Sequence, residues 1–152
     1  CLEYQKRLRD VPRLQEECTT LVEFSRGSEH GGYRSAFCHL SPDMVERMAV
    51  IYINVSWEES LRKNRKRYNP EKPDSILEHG LPDNKLEKLY RYTDWEEVSS
   101  GDNAYLSIQG RKVPYAVFDN SDDVTTQRGD ALGERLYSVT SVLWERYNRK
   151  TD

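Results

Sequence analysis

The segment AVIYINV, residues 49–55, constrains this chain more than any other stretch. Successive side chains of a strand point to opposite faces, and here both faces are apolar. Such a strand must be covered from both sides, as in layered α/β folds. Ser56-Trp57-Glu58-Glu59 follows at once and has the form of a capping box, in which Ser56 and Glu59 satisfy amide groups at a helix start. A buried strand therefore feeds directly into a capped helix.

The remaining segments predict elements on either side of that unit. Leu8, Val11 and Leu14 recur at helical spacing among charges, so residues 1–17 read as an amphipathic helix that Pro12 kinks or divides. TTLVEF (19–24) is β-branched and apolar and predicts a buried strand. SRGSEHGGYRSAF (25–37) reads as a loop. Ser41-Pro42-Asp43 starts a helix, with Ser as cap, Pro at the first position and Asp at the positive end. Residues 69–84 contain three prolines and exclude a regular helix. Leu86, Leu89 and Tyr90 resume helical spacing. AYLSI and KVPYAVF flank Gln109-Gly110 and predict a hairpin. Leu132, Leu136, Val139, Leu143 and Tyr147 align on one face of a last helix.

Alternation of helices and strands predicts an α/β fold with a mainly parallel sheet flanked by helices. The 152 residues suit one domain over 1–152 and are short for two. Three principal strands make a thin sheet, and the first residue is Cys1 where a chain start would have Met. Both features predict that 1–152 is the C-terminal part of a larger domain. No stretch approaches the roughly 20 apolar residues of a membrane span. Three scattered cysteines, Cys1, Cys18 and Cys38, predict a reducing, cytoplasmic setting without a disulfide framework or zinc site.

Charge is distributed unevenly. The net charge is −3, which argues against a general nucleic-acid binder. Yet Arg62 to Arg67 places five cations in six positions. Cations at a helix C-terminus complement its dipole, and Glu58–Arg62 and Glu59–Lys63 are favourable pairs four residues apart. One or two charges would suffice for that, so the cluster also reads as a phosphate site. Glu23, near the end of an apolar run, is either a salt-bridge partner of Arg26 or a functional carboxylate. His30 beside Gly31-Gly32 reads as a surface loop. Asp119-Asn120 suits turn chemistry before the last helix. His30, His39 and His79 are too scattered to form a metal site, and none is expected.

The strand–helix unit IYINVSWEESLRKNRKR resembles the element that carries the LID region of P-loop kinases, especially nucleoside and nucleoside-monophosphate kinases. LVEFSRG resembles the carboxylate-plus-arginine motif at the end of their Walker-B-side strand. YAVFDNSDD resembles their last core strand and the loop that covers the base. The resemblance spans residues 19–149 by element order and implies a P-loop NTPase-like fold lacking its N-terminal strand and phosphate loop, with residues 60–84 as a LID-like basic segment and Pro-rich loop. It implies phosphoryl transfer from ATP with Mg2+ to a nucleoside or another small hydroxyl substrate. Glu23, Arg62, Arg65 and Arg67 would be catalytic. Arg26, His30, Tyr33 and Arg34 would bind the acceptor, and Asp119 and Asn120 the nucleotide. No G-x-x-x-x-G-K-[ST] loop occurs in these residues. That loop is expected upstream of Cys1, or else the chain is a non-catalytic relative. Two alternatives stand beside the kinase: a non-catalytic module that binds a nucleotide, acidic partner or RNA through Arg62–Arg67, and a helix-rich interaction domain with a solvated charged helix.

Overall fold

The computed structural model describes residues 19–72, 74–75 and 78–151. The helix expected over 1–17, with Cys1 and Cys18, lies outside the described residues. In chain order the elements are a 3-10 turn at Ser28–His30, α1 (Gly32–Cys38), α2 (Pro42–Arg47), β1 (Val50–Asn54), α3 (Trp57–Arg67), α4 (Asp83–Tyr90), α5 (Trp95–Ser99), β2 (Tyr105–Ile108), β3 (Arg111–Asp119), α6 (Val124–Gln127) and α7 (Asp130–Thr151).

Local chemistry sets several of these boundaries as expected. The Met44 amide donates to the Ser41 hydroxyl at 3.4 Å, and Pro42 occupies the first turn of α2. The Glu59 amide donates to the Ser56 hydroxyl at 3.2 Å and starts α3. Gln109 and Gly110 both take positive φ, 51° and 75°, and turn β2 into β3 as two-residue hairpins require. The Gln109 amide holds this uncommon conformation by donating to the carbonyls of Phe37 and Leu40 at 3.0 and 2.8 Å.

The sheet has the order β1-β3-β2. β1 runs parallel to β3, with Val50 opposite Tyr115 and Ile53 opposite Phe118. β2 runs antiparallel to β3. The central β3 is buried on both faces from Val113 to Ala116. On one face Val113, Tyr115, Leu106 and Ile108 pack with Phe37, Val45 and Trp95, and Val50 and Tyr52 lean on this cluster. The opposite face lies under α7. There the Tyr105 hydroxyl donates to the Arg146 carbonyl at 3.1 Å, and the Arg135 guanidinium lies over the Phe118 ring at 5.9 Å.

This architecture corrects the expected fold class. Among the described residues the sheet has three strands and is mixed, one pair parallel and one antiparallel, where a mainly parallel P-loop kinase core was expected. Thr19–Phe24 has strand composition but irregular backbone. A strand exists only with a ladder partner, and no described strand pairs with this segment. The expected loop over 25–37 instead contains α1. Its amino end is held by a distant carboxylate: Asp94 accepts from the Tyr33 and Arg34 amides at 2.6 and 3.0 Å. No helix of the described residues is long and apolar enough to cross a membrane.

Candidate functional site

The basic end of α3 meets the loop that follows β3. Lys63 is the centre of this contact. Its ammonium donates to the Asn120 carbonyl at 2.7 Å, the Asn120 side-chain oxygen at 2.8 Å and the Asp122 carbonyl at 2.6 Å. Thr125 orients Asn120 by donating to the same side-chain oxygen at 2.9 Å. Arg62 forks onto Glu59 at 2.7 and 2.5 Å and also pairs with Asp123. From the other side, Arg135 of α7 binds both carboxylate oxygens of Asp122 at 2.8 and 2.7 Å and the Asp119 carbonyl at 2.9 Å.

Electrostatics follow this geometry. The Arg135 guanidinium and the Val124 amide hold the Asp122 carboxyl down at about 2. Arg62 lowers Glu59, and the carboxylates of Glu59 and Asp123 raise Arg62 in turn. The Ser121 hydroxyl and amide lower Asp119. The loop is thus a clasp in which cations from α3 and α7 neutralise Asp122 and Asp123.

A second clasp is centred on the next residue of α3, Asn64, which faces a different side of the helix. Asn64 is 8% exposed, and its side-chain amide pairs with the backbone of Leu81 in both directions, at 2.7 and 2.8 Å. Arg65 pairs with Asp83 at 2.7 Å just beyond it. Together these contacts fasten the Pro-rich segment onto α3.

The residues expected to form one phosphoryl-transfer centre are therefore in different surroundings. Arg62 and Arg65 are engaged in ion pairs, and Arg67 is exposed. Asp119 and Asn120 belong to the clasp with Lys63. Glu23, Arg26 and His30 are exposed, and Arg34 pairs with Glu97 at 2.8 Å. The Tyr33 ring lies against Phe37 and Trp95, with centroids at 6.2 and 5.9 Å, and burial pushes its phenol up to about 12.

The mixed three-stranded sheet overturns the kinase resemblance and the enzyme assignment drawn from it. No phosphate loop is present in the sequence. Among the described residues no three His, Cys, Asp or Glu side chains are grouped to hold a metal ion. ATP, Mg2+, the nucleotide and the phosphate acceptor lose their support, and so does the transferase reading. Internal pairing engages three cations of the cluster, Arg62, Lys63 and Arg65, while Lys66 and Arg67 are exposed.

Sequence reading missed Lys63, Asp94 and the Asp122–Arg135 pair as organising residues. Their only signal is residue type, because each partner lies far away in the chain. It also missed the exposure of β1. Ile51 and Ile53 are 38% and 49% exposed on a strand whose composition predicts burial on both faces. Comparisons with protein-family models, with curated proteins and with solved structures give no match to this chain.

Proposed function

We propose that this chain is a protein-interaction module that takes up an extended polypeptide segment along the open edge of its sheet. One observation carries the reading: β1 is an edge strand among the described residues, and its Ile51 and Ile53 side chains stand half-uncovered. Soluble proteins usually guard an edge with a charge, a proline or a bulge. Val50–Asn54 has no charged residue and no proline, and its register with β3 is unbroken.

The edge is also held in shape. Tyr52 stacks on Trp95 with ring centroids 3.9 Å apart and planes within 3°. The Asn120 amide donates to the Asn54 carbonyl at 2.8 Å and fixes the far end of the strand. A preformed edge lowers the ordering cost of docking a strand, and main-chain hydrogen bonds then supply much of the affinity. On α7, Leu136 and Val142 are part-exposed as well. A reducing, cytoplasmic setting belongs to this reading through the scattered cysteines.

A short Val/Thr-rich synthetic peptide tests the reading. Titrated into isotope-labelled protein, it should shift the backbone amides of Val50–Asn54 before any others. Ile51→Lys combined with Ile53→Lys should abolish the response. Shifts that begin at other residues, or that are indifferent to the two lysines, would overturn it.

A further inference from the structure

Among the described residues the chain holds an edge strand without a second neighbour and a strand-forming segment without a ladder. β1 offers five residues, Val50–Asn54. Thr19–Glu23 offers five more, rich in β-branched and apolar types, and lies irregular with Leu21 91% and Val22 64% exposed. We infer that two copies of this chain exchange Thr19–Glu23, each laying it along the other copy's β1. The inference rests on the strand-accepting reading of β1 and names its occupant.

Chain anatomy around the segment suits exchange. From Gly27 onward the backbone is pinned. A Cβ at Gly27 would lie 1.7 Å from the Lys88 carbonyl oxygen, so the chain passes here in direct contact with α4. The Ser28 amide donates to the Tyr92 carbonyl at 2.8 Å. Phe24 rests against Tyr33 and Phe37, with ring centroids at 6.0 and 6.3 Å. Residues 24–27 therefore form an anchor and pivot, and Thr19–Glu23 projects from it without pairing to its own β1.

Side-chain pattern fits the acceptor. In an added strand Leu21 and Glu23 share one face, while Thr20 and Val22 share the other. Apolar side chains then reach both faces of the sheet: beside Ile51 and Ile53, and beside Val50 and Tyr52. Reciprocal exchange about a twofold axis closes the assembly at two chains, whereas one-way donation would leave an unused acceptor and continue into a filament.

Light scattering on the eluting protein reads the assembly directly. The expected mass is twice that of the chain. Thr20→Pro combined with Val22→Pro, which disables the donor and leaves β1 untouched, should return it to one chain that keeps its helical circular dichroism signal. With Cys1, Cys18 and Cys38 replaced by Ser, chains carrying Val22→Cys and chains carrying Ile53→Cys should be joined by a short bis-maleimide when mixed. A single-chain mass for the unaltered protein, or a double mass that the proline pair does not change, would overturn the exchange. So would closure within one chain in the Val22→Cys, Ile53→Cys double variant, although β1 would still be a strand acceptor. Peptide titration of the proline variant separates the two ideas. A response there keeps the edge reading even if the exchange fails, and silence there overturns both.

Discussion

The Lys63 ammonium binds Asn120 twice, at its backbone carbonyl and at its side-chain oxygen, across 57 positions of sequence. This lysine ties α3 to the loop after β3. Its side chain is largely shielded from water. Hydrogen bonds from charged groups contribute about 1.5–3 kcal/mol each, but a network does not add them independently. Lys63→Met, which keeps the length and loses the charge, is expected to destabilise the fold by about 2 kcal/mol in total. A urea midpoint unchanged from the unaltered protein would refute this role.

Asn64 and Leu81 make the second tie. Truncating Asn64 leaves the Leu81 amide and carbonyl without partners in a shielded place, at a cost of about 1–3 kcal/mol. Asn64→Ala should therefore lower the urea midpoint. Asn64→Asp should lower it further above the carboxylate range, because an anionic oxygen then faces the Leu81 carbonyl. Protection of the Leu81 amide from hydrogen exchange is the site-specific check.

The clasp also predicts acid sensitivity with a defined sign. Asp122 sits at about 2 in the folded chain against an ordinary value of 3.8, chiefly because Arg135 hydrogen-bonds its ionised form. A depressed carboxylate stabilises the fold above its unfolded value and loses that contribution as pH falls through the folded one. Stability should thus decline between about pH 4 and pH 2. Asp122→Asn should be less stable than the unaltered chain at neutral pH and flatter across that window. Added salt should weaken the contrast, since the pair is exposed to solvent. Thermal melts at several pH values give both measurements.

Local chemistry was legible in the sequence where neighbours along the chain complete it. Ser41-Pro42 and Ser56 to Glu59 start helices because their partners lie within one turn. Gln109-Gly110 turns because the hairpin closes on adjacent residues. TTLVEF predicts a buried strand from its composition and is irregular and exposed instead, because composition does not provide a ladder partner. The same limit applies to the cations. Five charges in six positions suggested an open phosphate lid, and distant Asp83, Asn120, Asp122 and Asp123 close on three of them.

By itself the sequence determined the starts of α2 and α3 and the β2–β3 hairpin, since those depend on interactions a few residues apart. Tertiary structure alone decided that β3 is central and β1 an edge among the described residues, and that Lys63 and Asp94 are structural ties. Those outcomes depend on which distant groups share a surface. In the clasp, opposite charges from separate segments cancel; at β1, an apolar strand lacks a second neighbour among the described residues. Pattern within a segment cannot specify either one, because each is a relation between segments that only the folded chain brings together.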